Sequence, residues 1–181
     1  VRTVHTIPLQ VVRQKIHLWK GAIQKEVVDS LEKKGAIWRY WGDNIPKMWE
    51  EIGDKDYVFI PGKGVFTIKP PFTFKARGVA CGNHAADTEV DLYASGVEAI
   101  TYRLCLALAV QYGWDILGTD VGTAFLYADL DLPYAVVVQA PQIFIQAGIC
   151  KEGEPWLIKN AIYGLRESPR AWSDHRDHYL R

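Results

Sequence analysis

Asp120-Val121-Gly122-Thr123-Ala124-Phe125-Leu126 closes an apolar run that begins at Trp114. A short run of this kind, ending in a carboxylate and a glycine, predicts a buried strand with Asp120 at its tip. A tight Gly turn follows, and an aromatic stands five residues after the Asp. Such a strand–turn suits nucleotidyl transfer: the Asp to bind Mg²⁺, the turn amides at Thr123 and Ala124 to face a triphosphate, and Phe125 to floor the sugar pocket. An isolated Asp at a strand end also serves as an ordinary cap or solvated turn residue. The heptapeptide alone leaves both readings open.

Upstream, Gln10 to Lys34 reads as one amphipathic helix. Val11, Val12, Ile16, Trp19, Ile23, Val27 and Leu31 recur at three- and four-residue spacing, and Gly35 supplies the stop. Asp56 to Ile60 and Val65 to Ile68 flank Pro61-Gly62-Lys63-Gly64, which predicts a β-hairpin with its turn at those four residues. Pro70-Pro71 ends that strand, and Phe72 to Ala80 resumes an extended segment. Ser95-Gly96-Val97-Glu98 fits a capping box opening a second helix that runs to Tyr112, with Gly113 as its stop. Ala135 to Val138 and Trp156 to Ile158 read as strands. Ser168-Pro169 opens a last helix with serine as cap and proline at the first helical position. The fold class is α+β.

The chain has 181 residues, of which 49% are apolar and 12% aromatic, which excludes a disordered chain and suits one domain. The zero net charge hides an asymmetry. Residues 1–75 carry 13 Lys+Arg against 8 Asp+Glu, and residues 76–181 carry 8 against 13. A basic first part is suited to phosphates and an acidic second part to Mg²⁺, although solvated faces of opposite sign account for the charge equally well. Cys81, Cys105 and Cys150 form no CxxC pair, and an odd count argues against a disulfide framework. No apolar run is long enough to span a bilayer, so a soluble intracellular protein is expected. Val1 in place of Met, and Arg181 within a helix-like stretch, read as the ends of a piece cut from something longer.

Four motifs occur in order: Trp19-x2-Ala22-x3-Glu26, Lys75-Ala76-Arg77-x-Val79-Ala80-x-Gly82, Asp120-Val121-x2-Ala124-Phe125-Leu126, and Tyr163-Gly164-Leu165-x2-Ser168-Pro169-Arg170-Ala171-Trp172. Together they resemble the copia-type reverse transcriptase of LTR retrotransposons, from about Trp19 to the end of the chain. The resemblance implies a fingers and partial palm architecture. Residues 1–75 would form the N-terminal helix and the approach to the fingers, and 76–181 the fingers and palm with the first catalytic Asp. It implies that Asp120 is catalytic and, with the backbone carbonyl of Val121, a ligand of two Mg²⁺ ions. Lys75, Arg77, Thr123, Ala124 and Phe125 would bind the nucleotide, and Tyr163 and Gly164 would lie against the template and nascent base pair. The implied partners are an RNA or DNA template–primer and deoxynucleoside triphosphates, with integrase and RNase H modules in the parent polyprotein.

The pattern also departs from that family. Its Tyr-x-Asp-Asp hairpin, the second source of carboxylates, has no counterpart in residues 1–181. Gly78 stands for the usual leucine, Cys81 for a lysine, and Arg166-Glu167 for Lys-Gln. The isolated chain is therefore expected to be inactive. The alternative is a decayed or domesticated fragment that binds nucleic acid without catalysis. A zinc site from Cys81-x2-His84 and His175-x2-His178 is a further reading, weakened because His-x2-His puts the rings on different helix faces.

Overall fold

A computed structural model of the chain describes residues 4–85, 92–94 and 96–180. It opens with a two-residue strand, β1 (His5–Thr6), and two helical pieces, α1 (Leu9–Gln14) and α2 (Ile16–Gln24). The pieces are separated at Lys15, which has left helical geometry (φ −127°, ψ 37°), and α2 runs on into a π-helical stretch, Lys25–Glu32. The expected single helix is thus in place, but broken once and widened at its end. Of its apolar stripe Val12, Trp19, Ile23, Val27 and Leu31 are buried and Ile16 is half-buried, whereas Val11 is exposed. Gly35, at φ +71°, stops the helix where a side chain would be strained.

Beyond β2 (Ile37–Arg39) and α3 (Ile45–Ile52) comes the largest departure from expectation. Residues 57–69 form one uninterrupted strand, β3 (Tyr57–Lys69), with no turn at Pro61–Gly64. The strand changes partner there instead. Residues 57–61 pair in parallel with residues 135–139, and residues 62–69 pair antiparallel with β4 (Thr73–Ala80). The glycines serve close packing rather than a turn. A Cβ on Gly62 would lie 2.4 Å from the Gln139 carbonyl oxygen, and one on Gly64 would lie 2.8 Å from Ile143 and 2.9 Å from the Phe66 ring. Pro61, which has no amide to give, sits at the junction and accepts from the Cys81 amide. The real hairpin turn lies at Pro70-Pro71, where the Phe72 amide reaches the Lys69 carbonyl at 2.8 Å.

Later elements are α4 (Ala99–Tyr112), β5 (Ala135–Gln139), α5 (Gln142–Gln146), β6 (Pro155–Ile158) and α6 (Ser168–Leu180). The strands form one mixed sheet in the order β1-β3-β5-β6-β2, with β4 also paired to β3. β5 and β6 fall where the sequence predicts them. Ser168 heads α6 as expected, yet its buried hydroxyl turns back to donate to the Ile162 carbonyl at 2.6 Å. The expected cap at Ser95 lies outside the described residues. No helix among the described residues is long and apolar enough to cross a membrane.

Trp114 to Val121 does not form the expected strand. It is irregular and exposed, with Leu117 90% accessible. Strand backbone needs a ladder partner for its N–H and C=O groups, and no described strand pairs with this run. Local apolar pattern alone cannot supply that partner.

Two contacts hold the α2–π helix to the hairpin. Trp19 meets Phe66 and Phe74 edge-on, at centroid distances of 5.1 and 4.7 Å. The buried Glu26 carboxylate accepts the Gly78 amide of β4 at 3.1 Å. Elsewhere, Glu154 is fully buried and accepts from Arg39 Nε at 2.6 Å, Trp156 Nε1 at 2.8 Å and the Lys151 amide at 2.7 Å. The same arginine reaches Glu32 at 3.0 Å, which ties the end of the π-helical stretch to the sheet. Burial by itself would disfavour the charged guanidinium, but the Glu154 carboxylate more than offsets this and holds Arg39 protonated.

Gly62→Ala should cost about 3 kcal/mol in urea denaturation because the Gln139 carbonyl has nowhere to go. Gly21→Ala, in α2 with open space around it, should instead stabilise by roughly 0.5–1 kcal/mol. Burial raises the Glu26 carboxyl above its ordinary 4.5, against the lowering effect of the Gly78 amide and the charges of Arg77 and Lys75. A raised acid is held more tightly by the folded state, so its contribution is present at pH below 4.5 and is lost as pH rises through the folded value. Glu26→Gln keeps the acceptor for Gly78 and removes that loss. Its stability relative to the parent should therefore rise from pH 4 to pH 7, and a flat difference would contradict the assignment.

Candidate functional site

Register along the hairpin decides which side chains meet. In an antiparallel pair, directly opposed residues share a face, and successive residues alternate between faces. The pairs Val65↔Arg77, Thr67↔Lys75 and Lys69↔Thr73 lie on one face, together with Lys63↔Val79. The pairs Phe66↔Ala76 and Gly64↔Gly78 lie on the other, buried under the α2–π helix. All four cations of residues 57–80 therefore stand on the open face, and that stretch contains no carboxylate.

Lys69, Lys75 and Arg77 form one wall of an open cleft of about 310 Å³, and residues 120–125 with Tyr163 complete it. Arg77 lies over the Tyr163 ring at 4.8 Å, and Tyr163 in turn meets Phe125 at 5.7 Å. Burial pushes the Tyr163 hydroxyl up, assisted by Glu26 and opposed by Arg77. The Lys75 ammonium is held below its usual range by burial and by the neighbouring charges of Arg77 and Lys69, with Glu26 acting the other way. An anion in the cleft would relieve that crowding of positive charge.

The loop opposite is anchored at its downstream end. Leu126 is fully buried, its carbonyl accepts from the Asn160 side chain at 2.9 Å, and Ala128 accepts the Ala161 amide. Thr123 adopts a left-handed conformation (φ +59°), and its hydroxyl oxygen accepts from Lys34 at 2.7 Å. A short 3₁₀ turn, Ala124–Tyr127, then sets Phe125 half-buried against Tyr163. Asp120, upstream of the anchor, is exposed and shares the cleft with Arg77 without standing at a strand end.

Of the residues singled out from sequence, Lys75, Arg77, Asp120, Val121, Thr123, Ala124, Phe125 and Tyr163 line this one cleft. Gly164 does not. It sits behind it at φ +93°, where a Cβ would fall 2.0 Å from the Ala80 carbonyl oxygen, so its lack of side chain is needed by the fold itself. Lys69 and Lys34 were not singled out. Lys69 was detectable by extending the alternation of β3 to its end, whereas the bond from Lys34 to Thr123 spans 89 residues and leaves no local signal.

The cleft does not fit a pair of Mg²⁺ ions as it stands. Asp120 is the sole carboxylate among its lining residues, with the Val121 carbonyl beside it in sequence. Asp129 and Asp131 line a different hollow, of about 500 Å³, against α6. Among the described residues no group of three or more His, Cys, Asp or Glu side chains is placed to hold a metal, so the Cys81, His84, His175 and His178 set does not come together. All three cysteines are free; Cys150 is buried, and its thiol is pushed up to about 12 by that burial and by Glu154.

The family model described as reverse transcriptase (RNA-dependent DNA polymerase) matches residues 47–181. Among curated proteins, the chain is 31% identical over 113 residues to the retrovirus-related Pol polyprotein from transposon RE1 of Arabidopsis thaliana, 59% of this chain and 7% of that protein. It is 30% identical over 105 residues to the corresponding polyprotein of transposon RE2 from the same plant, 55% of this chain and 7% of the relative. A third relative, from transposon TNT 1-94 of Nicotiana tabacum, is 27% identical over 95 residues, 50% of this chain and 7% of the relative. No solved structure matches. The chain thus spans a small part of the curated relatives it matches, but the match to the family model covers most of its own length. The chain belongs to the reverse transcriptase (RNA-dependent DNA polymerase) family.

Proposed function

We propose that this chain is part of the RNA-directed DNA polymerase of a copia-type retrotransposon Pol polyprotein. Residues 1–75 supply the N-terminal helix and the approach to the fingers, and 76–181 the fingers and first part of the palm. Its own task is to bind the incoming deoxynucleoside triphosphate. The observation that carries this reading is the single cleft in which three hairpin cations face Asp120 and the Phe125–Tyr163 pair.

Arg77 offers a planar fork to two phosphate oxygens, which a lysine cannot reproduce, and Lys75 and Lys69 add point charge. The backbone around Gly122, Thr123 and Ala124 faces the same space. Phe125 gives the sugar an apolar floor on which a 2′-hydroxyl would find no partner, favouring deoxyribose. Tyr163 lies next to both and would sit against the nascent base pair. Asp120 and the Val121 carbonyl are what this chain offers to Mg²⁺. They are too few for two ions, so the transfer step is not assigned to these residues. The wider setting belongs to the same proposal: a template–primer partner, integrase and RNase H modules in the parent polyprotein, and work in a cytoplasmic particle or the nucleus.

A second reading, a decayed or domesticated fragment that binds nucleic acid without catalysis, is favoured by the lone carboxylate. The two part over the triphosphate. Arg77→Ala should weaken binding of a fluorescent deoxynucleoside triphosphate at least tenfold, since a charge-assisted hydrogen bond contributes about 1.5–3 kcal/mol. Arg77→Lys should recover only part of it. Unchanged affinity would overturn the triphosphate assignment and favour the second reading. The isolated chain should show no primer extension with added Mg²⁺, and measurable extension would contradict the assignment of one carboxylate to this cleft.

A further inference from the structure

The open face of the β3–β4 hairpin does not end at the cleft. Lys69 lines the cleft and also the rim of a separate hollow at the hairpin tip, about 300 Å³ in volume, walled by His5, Ile68, Pro70, Pro71 and Phe72. Phe72 is 86% exposed there. Its backbone stands at φ +120°, where a bulky side chain is a genuine outlier. Strain of that kind persists where surrounding structure imposes it, and it concentrates at ligand clamps. Here the hairpin turn imposes it, through the bond from the Phe72 amide to the Lys69 carbonyl. The neighbouring aromatic, Phe74, is spent on Trp19, whereas among the described residues Phe72 makes no ring contact.

We propose that Phe72 and Lys69 form a stacking post for an unpaired base of a single nucleic-acid strand, at the hairpin tip, where Lys69 is shared with the triphosphate cleft. This rests on the reading of the cleft as a nucleotide site and adds to it the path of the template. The chemistry follows from what is present. Single strands are held by cations that track the backbone and by aromatic faces that accept any base. Lys63, Arg77, Lys75 and Lys69 supply the first along one face, at successive steps of roughly 7 Å along the strands. Phe72 supplies the second at its end. With no carboxylate in residues 57–80, nothing on the hairpin repels the strand. An apolar peptide would use the hollow but gain nothing from the cations beside it.

The test uses the whole chain and fluorescence anisotropy with a short labelled RNA strand, the same strand carrying abasic sites, and a blunt duplex. Phe72→Ala should weaken binding of the intact strand roughly tenfold, and Phe72→Trp should restore it. The abasic strand should bind the parent and Phe72→Ala alike, as should the duplex. Lys69→Ala should reduce the slope of log affinity against log salt by about 0.7. Because the Phe72 side chain is exposed, its loss should leave thermal stability unchanged, which a melting curve checks. Equal binding of the intact strand by parent and Phe72→Ala, or no binding by the parent, would overturn the proposal. Triphosphate affinity separates the two readings: Phe72→Ala should leave it intact. If Arg77→Ala leaves it intact too while Phe72→Ala still loses the strand, the cleft assignment fails and the stacking post stands.

Discussion

The cationic cleft depends on the β3–β4 hairpin having two faces with opposite chemistry. Eight cross-strand pairs without a bulge keep the alternation in phase from Gly62 to Thr73. A one-residue slip would turn Lys75 and Arg77 into the helix and Phe66 and Ala76 into water. Two interactions guard against that slip. Trp19 grips Phe66 and Phe74 from the α2–π helix, and Glu26 holds the Gly78 amide. The buried acid is costly, yet it lies under the strand that carries Arg77 and Lys75, where its field partly offsets their mutual repulsion. Fold and site are coupled through that one side chain.

The two walls of the cleft are built differently. The hairpin wall is a paired strand on a packed core. The opposite wall is a loop pinned from Thr123 onward by Lys34, Leu126 and Asn160, while Asp120 precedes the pins on exposed chain. Arg77 lies over the Tyr163 ring and Tyr163 meets Phe125 at a tilt, beside a carboxylate without a second acidic partner among the cleft's lining residues. Such a site is suited to gripping an anion. Its carboxylate is too solitary to organise two divalent ions.

Much of this was legible in the sequence where the signal is local. The stripe from Val12 to Leu31, the strands at Ala135 and Trp156, and the helix at Ser168 follow from periodicity and end chemistry. Eight of the residues singled out as catalytic, nucleotide or template contacts line one cleft, although the strand expected to deliver Asp120 and Val121 does not form. The misreadings share a cause. Pro61-Gly62-Lys63-Gly64 has turn composition, but its glycines answer to Gln139 and Ile143, far along the chain. Trp114–Val121 has strand composition, but a strand is completed by a neighbour that local pattern cannot name. Gly164 packs against the Ala80 carbonyl, again a distant part of the chain. The Arg39–Glu154 pair, 115 residues apart, gave no sign at all.

The proposed function has the hairpin cations and the 120–125 loop bind one triphosphate between them. Nuclear magnetic resonance on the isotopically labelled chain, titrated with a deoxynucleoside triphosphate in the absence of metal, tests this head-on. The Arg77 guanidinium resonance and the amides of Gly122, Thr123 and Ala124 should shift together along a single saturation curve. Shifts at Arg77 without the loop, or changes confined to surfaces remote from both, would contradict it.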